Sequence, residues 1–257
     1  METNINCDLG ETSIHSSSDN DPALLQIINT ANIACGFHAG DESTMVRTIQ
    51  ISKKNNVSVG AHPSFNDREN FGRKRIKLSS IELKKLILDQ LEIITGIAER
   101  EQYQITHVKP HGALNNMACE DYDLSYDIGL AIKEFDKDLI YVCGASTEME
   151  KAGNNLGMKV ACEIFADRNY DDHGRLVSRN LSHALITDPE ESLLHTVSML
   201  NNQVINCYSG KKIPCQIDTI CLHSDGKTAV PLAKKLKEGL LAAGFDLKPL
   251  NNFKKFL

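Results

Sequence analysis

Ala31-Asn32-Ile33-Ala34-Cys35-Gly36-Phe37-His38-Ala39-Gly40-Asp41 is the stretch that decides the architecture. The apolar run Ile33-Ala34-Cys35 reads as a buried strand. The glycines on either side of His38 mark a sharply turning loop whose backbone can come close to a ligand. Asp41 stands at the start of a helical pattern. Strand, polar glycine loop and helix follow one another in this order where α/β enzymes present chemistry at the carboxyl ends of their strands.

The same unit recurs outward from this stretch. Strands are expected at Ile5–Asp8, Val57–Ala61, Ile105–Val108, Leu139–Cys143, Lys159–Phe165 and Ile217–Leu222, with the run Ile33-Ala34-Cys35 of the opening stretch as the second of seven. Asp21-Pro22 starts a helix through Leu24, Leu25 and Ile28, aspartate capping and proline at the first helical position. Asp41 or Ser43 caps the next, with Met45, Val46 and Ile49 on one face. Ser79-x-x-Glu82 is a capping box, followed by Leu83, Ile87, Leu91, Ile94 and Ala98 at helical spacing. Further helices are expected over Tyr126–Phe135, from a Ser146 cap to Gly157, from Asp188-Pro189, and over Thr228–Ala243 with Gly244 past its end. Val204–Gln216 reads as an irregular crossover that can hold short extended pieces. The strands show no clean alternation, which suggests a parallel sheet covered on both faces. No Pro- or Gly-rich linker divides the chain. The expectation is one α/β domain over residues 1–257, a seven-stranded (β/α) barrel one unit short of the familiar eight.

Composition narrows the class. The chain has 257 residues and no tryptophan, so its core is aliphatic. A net charge of −6 without a basic stripe argues against nucleic acid as a partner. No apolar run approaches the ~18 residues of a membrane helix, and Met1-Glu2-Thr3-Asn4 lacks the features of a signal peptide. A cytoplasmic location is expected. The eight cysteines include no Cys-x-x-Cys. Cys35, Cys143, Cys162 and Cys221 fall inside expected strands and read as small buried hydrophobes.

Polar residues gather where strands stop. Histidine follows four of the seven strands, as His38, His62, His111 and His223. In a closed parallel barrel these ends share one rim. Asp8, His38 and His62 follow three consecutive strands and suit either a divalent metal that activates water or a metal-free acid–histidine network. His107 lies too far from His111 along extended chain to chelate with it, and reads as packing. Arg73 and Lys109 offer cations for a carboxylate or phosphate. Glu163, inside an apolar strand, must be paired or face the pocket. His223-x-Asp225 reads as an acid–base pair or as a helix cap beside an incidental histidine. His15, His183 and His195 lie in polar or helical contexts. There is no Gly-x-Ser-x-Gly elbow and no standard phosphate loop.

Taken together, Asn6-Cys7-Asp8-Leu9-Gly10-Glu11, Ala31–Asp41, Gly60-Ala61-His62-Pro63-Ser64, Phe71-Gly72-Arg73, Val108-Lys109-Pro110-His111-Gly112-Ala113-Leu114, Glu163-Ile164-Phe165-Ala166-Asp167-Arg168 and Leu222-His223-Ser224-Asp225-Gly226 resemble the LamB/YcsF family, from first strand to last. The resemblance implies a seven-stranded barrel related to the polysaccharide deacetylases. It also implies the work of the A subunit of an ATP-dependent 5-oxoprolinase: with partner subunits B and C, 5-oxo-L-proline opens to L-glutamate as ATP becomes ADP and phosphate. The deacetylases hold metal with an Asp and two His. Their His-x-x-x-His loop motif is absent after the second strand here, where only His38 stands. Cofactor expectations are ATP as cosubstrate and a divalent metal, either Mg2+ with ATP or a transition metal at Asp8, His38 and His62.

On that implication Arg73, Lys109 and Arg168 are candidates for carboxylate and phosphate. Asp8, His38 or His62 is the base for water, and His111 or His223 the acid for the ring nitrogen. Glu11, Asp41, Glu163 and Asp225 complete the expected substrate-binding set. The rivals are an ATP-independent, metal-dependent amide or acetyl hydrolase and a non-catalytic ligand-binding subunit.

Overall fold

The computed structural model describes residues 1–257. Six parallel strands form in order: β1 (Glu2–Leu9), β2 (Thr30–Ala34), β3 (Ser58–His62), β4 (Ile105–Val108), β5 (Ile140–Gly144) and β6 (Lys159–Phe165). A short antiparallel hairpin, β7 (Val204–Asn206) with β8 (Lys212–Pro214), occupies part of the expected crossover. Then β9 (Thr219–Leu222) inserts between β6 and β1, pairing Glu163 with Thr219 on one side and Ile5 with Ile220 on the other. This closes a seven-stranded parallel barrel. A two-residue strand, β10 (Asp246–Leu247), adds to the start of β1.

The helices are α1 (Asp21–Leu24), α2 (Glu42–Lys54), α3 (Ser80–Arg100), α4 (Gly112–Glu120), α5 (Tyr122–Phe135), α6 (Glu148–Asn155), α7 (Pro189–Asn202) and α8 (Ala229–Ala242). Asp41 caps α2 by accepting from Thr44 N at 2.8 Å. The Ser79–Glu82 box caps α3, and Leu83, Ile87, Leu91, Ile94 and Ala98 are its buried face. Gly244 follows α8 with φ +83°, as a C-terminal glycine should.

Three local expectations are corrected. α1 is one turn, and the chain from Leu25 to Ile27 continues as turns. Its cap position is Asn20, while Asp21 turns inward to accept from Gly10 N at 2.8 Å. Ser146 has φ +60° and leaves the cap position of α6 to Thr147. The segment after Lys109-Pro110-His111 is helical at once, as α4, and α5 begins at Tyr122 because Asp121 caps it through Leu124 N.

The strands do alternate, with polar residues turned inward. Ile5, Cys7 and Leu9 of β1 belong to the large apolar core, while Asn4, Asn6 and Asp8 bond across the barrel. Asn6 Nδ2 donates to Thr219 Oγ1 at 2.7 Å and to Glu163 Oε1 at 3.0 Å. Asn32 Nδ2 donates to Asn6 Oδ1 and Asp8 Oδ1, both at 2.8 Å. His107 pairs with Asn32 Oδ1 at 2.9 Å, and burial pushes its pKa down to about 3. Gly60 on β3 makes room for that ring, since a Cβ there would lie 2.2 Å from His107 Cδ2. Buried polar groups are stable only when satisfied, and this lattice satisfies them while fixing the strand register. All eight cysteines are free. No helix is long and apolar enough to cross a membrane.

Candidate functional site

The carboxyl ends of the strands surround one cavity of about 560 Å³. Glu11, His62 and His111, which line it, form with the fully buried His38 a cluster whose ligand atoms all fall within 4.8 Å of one another. Glu11 leaves β1 after Gly10, whose φ of +71° turns the chain back over the barrel mouth. His38 comes from the glycine loop after β2, His62 ends β3, and His111 follows Lys109-Pro110 after β4.

Backbone partners fix the tautomers. His62 Nδ1 donates to Lys109 O at 2.7 Å, and His111 Nε2 donates to Phe71 O at 3.0 Å. A carbonyl only accepts, so each ring carries its proton there and its other nitrogen points inward as a lone pair when neutral. Those inward atoms, His62 Nε2 and His111 Nδ1, lie 3.0 Å apart, and Glu11 Oε1 lies 3.0 Å from His111 Nδ1. His38 Nε2 is 3.0 Å from the same Glu11 oxygen, and its Nδ1 is buried without a partner. Lone pairs and a carboxylate converging this closely need a proton or a cation among them. Three imidazoles and one carboxylate, with two rings oriented by carbonyls, form a donor set that can hold a divalent metal.

Electrostatics agrees. Burial, with the His111 charge, pushes His38 down to about 3, so its ring is neutral. Burial opposes charge on His62, but Asp8 and Glu11 outweigh it and raise its pKa. Burial also opposes charge on Glu11, yet His111 and His38 hold its carboxyl far below the usual range. The loop after β3 supports the cluster. Phe71 and Gly72 both have positive φ, at 55° and 64°, and the Phe71 ring meets His38 and His111 edge-on. A Cβ on Gly72 would lie 3.0 Å from both His38 Cβ and His111 Cδ2.

The expected metal set therefore shifts. His38 and His62 belong to the cluster, joined by Glu11 and His111, while Asp8 is engaged elsewhere. Asp8 Oδ1 is 2.9 Å from Lys109 Nζ, and Asp8 Oδ2 is 3.4 Å from His62 Nε2. Lys109 also lies 2.9 Å from Glu163 Oε1 and donates to Cys221 Sγ at 3.0 Å. Burial alone would lower the Lys109 pKa, but Asp8 and Glu163 raise it well above the ordinary value, so it is a charged, fully partnered ammonium. Glu163 is pushed up by burial against the pull of Lys109.

His223 enters the cavity from the end of β9, paired differently from expectation. Its Nδ1 lies 2.7 Å from Asp167 Oδ2, and Phe165 stacks on the ring at 5.5 Å. Asp225 instead lies 3.7 Å from Arg179. Asp167 fixes the tautomer and leaves Nε2 open. Arg73 lies on the rim over Phe71. Arg168 lines the cavity, but its Nη2 donates to Val177 O at 2.6 Å and its Nε to Ala184 O at 3.3 Å. Asp41, exposed and bonded to Thr44 and Ser43, lies outside the cavity. His15 bonds to Glu69 O and His183 stacks on Tyr208, both outside it. The sequence alone neither pairs Asp167 with His223 nor singles out Arg179, which carries no periodic or motif signal.

Comparison with known proteins places this geometry. The model of the LamB/YcsF family matches residues 3–255. The A subunit of a 5-oxoprolinase from Staphylococcus aureus (strain JH9) is 40% identical over 250 residues, covering 97% of this chain and all of that protein. A lactam utilization protein from Thermus thermophilus superposes with a TM-score of 0.89 at 32% identity, covering 96% of this chain and 99% of that one. The catalytic domain of a peptidoglycan N-acetylglucosamine deacetylase from Eubacterium rectale ATCC 33656 shares the fold, with a TM-score of 0.52 at 11% identity over 98% of this chain and 93% of that one. The chain belongs to the LamB/YcsF family.

Proposed function

We propose that the chain, working as one unit over residues 1–257, is the A subunit of an ATP-dependent 5-oxoprolinase. It opens the lactam of 5-oxo-L-proline to L-glutamate in a cytoplasmic complex with subunits B and C, coupled to hydrolysis of ATP to ADP and phosphate. The observation that carries the reading is the buried Glu11–His38–His62–His111 cluster, of which Glu11, His62 and His111 line the same cavity as His223, the partner of Asp167. It stands in a chain 40% identical to the A subunit of a 5-oxoprolinase.

A five-membered lactam is a resonance-stabilised amide. Opening it requires an activated carbonyl, a directed water and a proton for the departing nitrogen. Glu11, His38, His62 and His111 would hold a divalent metal, which supplies Lewis-acid polarisation and a more acidic bound water. Asp8 Oδ2, on the cavity side of the Lys109 pair, accepts from and orients the water. Lys109 keeps that carboxylate ionised and fixed. His223, when its ring carries a second proton on Nε2, delivers that proton to the lactam nitrogen, while Asp167 accepts from Nδ1–H and stabilises the imidazolium. Glu163 is the counter-charge beneath Lys109.

The donor set and the deacetylase-like fold also favour a second reading, an amide or acetyl hydrolase that needs no ATP. One assay separates these. Glutamate release from 5-oxo-L-proline is measured for the chain alone and with partner subunits, each with and without ATP. Release that needs both partners and ATP, and is lost in His62→Ala and His223→Gln, is the expected result. Release by the chain alone without ATP favours the second reading. Release unchanged in both variants reduces the chain to a ligand-binding role.

A further inference from the structure

The charges around the cavity do not balance. Lys109 is matched by Asp8 and Glu163, His223 by Asp167, and Arg75 by Glu120 at 2.7 Å. Arg168 is committed to two backbone carbonyls. Of the remaining guanidinium groups that line the cavity, Arg73, Arg175 and Arg179, the first and last feel each other's charge. Arg73 has only the Phe71 ring, 4.9 Å from its guanidinium carbon, and Arg179 has only Asp225 at 3.7 Å. Both line the same cavity, one from the loop after β3 and one from the loop after β6. Partial burial disfavours the charge of Arg73, and the nearby charge of Arg179 adds to that effect. Two exposed forks converging on a cavity with one distant counter-ion between them form an anion site.

We infer that Arg73 and Arg179 clamp the carboxylate of the lactam, and that Arg168 is a positioning residue holding the loop that carries Arg179. The second part follows from the loop's bonding. Arg168 ties Val177 O and Ala184 O together, Val177 N donates to Asn169 O at 2.9 Å, and Arg179 stands two residues beyond Val177. The clamp is thus built from a preformed strap, and it selects carboxylate-bearing lactams over neutral ones of the same ring. This inference rests on the lactam reading above.

The test is calorimetric titration of the full chain, as wild type, Arg73→Gln and Arg179→Gln. The probes are 5-oxo-L-proline, 2-pyrrolidinone, which lacks the carboxylate, and inorganic phosphate. Charge-assisted hydrogen bonds of this kind are worth about 10- to 100-fold in affinity. The expected result is that either substitution weakens 5-oxo-L-proline binding by about that factor and leaves 2-pyrrolidinone unchanged. Arg179→Lys, which keeps the charge and loses the fork, falls between. The thermal transition should not move in these variants, because both side chains are exposed. It falls in Arg168→Gln, which frees the strap. Unchanged 5-oxo-L-proline binding in Arg179→Gln overturns the clamp. So does equal weakening of 2-pyrrolidinone, or phosphate binding more tightly than the lactam under control of the same arginines. If the clamp pattern holds but the complex with its partners and ATP opens no lactam, the ring-opening reading fails and the clamp stands.

Discussion

Replacing Lys109 with methionine keeps the stem and removes the only cation between two buried carboxylates. In the native barrel, Nζ lies 2.9 Å from both Asp8 and Glu163, and the lysine is 2% exposed. Removing one partner of a buried ion pair costs about 3–5 kcal/mol, because the remaining charge is left desolvated and unpaired. That is a large share of a typical folding free energy of roughly 5–15 kcal/mol. The pH dependence is more specific. Burial already raises the Glu163 pKa against the pull of Lys109, and Lys109 also helps His62 keep Asp8 ionised against its own burial. Without the lysine both folded pKa values rise above their unfolded values. The folded variant then binds more protons than the unfolded chain, so its stability falls as pH rises, by up to about 1.4 kcal/mol per pH unit for one proton. Urea unfolding followed by circular dichroism at pH 5 and pH 8 measures this. Lys109→Met should lose several kcal/mol at pH 8 and distinctly less at pH 5, and Lys109→Met/Glu163→Gln should recover part of the loss. A variant within about 1 kcal/mol of wild type at pH 8, or a deficit that does not shrink at pH 5, would show that Lys109 does not hold the two carboxylates ionised.

Other outcomes follow from the same geometry. Burial, reinforced by Glu11, raises Asp21 from 3.8 to about 7. Its folded state holds a proton that the unfolded state has lost, so stability declines as pH rises between about 4 and 7. Asp21→Asn keeps an acceptor for Gly10 N and should remove this decline. It should be the more stable protein at pH 8, by no more than ~4 kcal/mol, and parallel melting curves across pH 5–8 would speak against it. Asp167→Asn lets the His223 proton move to Nε2. In the complete complex it should lower kcat by about 100-fold or more with little change in KM, and shift the pH profile. A proportional loss at every pH would assign Asp167 a merely structural part.

Much of the fold is legible in the sequence because its signals are local. The glycine loop at Gly36–Gly40, the Ser79–Glu82 box and the strand-ending histidines each declare themselves within a few residues. That histidine follows four strands places four rings on one rim once the barrel closes, and closure is what β9 provides. The inward polar face is harder to read. Asn4, Asn6 and Asp8 alternate with Ile5, Cys7 and Leu9, but a barrel filled with amides and carboxylates breaks the expectation of an apolar interior. The choice between Asp8 and Glu11 for the metal set depends on the backbone of Gly10, which strand spacing does not reveal. At φ +71° it returns Glu11 to the mouth and leaves Asp8 facing Lys109. Nearness in sequence points His223 to Asp225, whereas Asp167 reaches it from the neighbouring strand end. The αL turn at Phe71-Gly72, which orients His111 through a carbonyl, depends on tertiary packing and has no sequence period.

Glu11, His38, His62 and His111 are proposed to hold a metal as one cluster. The most direct test of that proposal is the metal content of the purified chain by inductively coupled plasma mass spectrometry, after stripping with chelator and reloading with one divalent transition metal. The predicted result is close to one ion per wild-type chain, background in His62→Ala and Glu11→Gln, and full loading in Asp8→Asn, whose side chain lies on Lys109. Background metal in the reloaded wild type, or loading lost in Asp8→Asn and kept in Glu11→Gln, would contradict it.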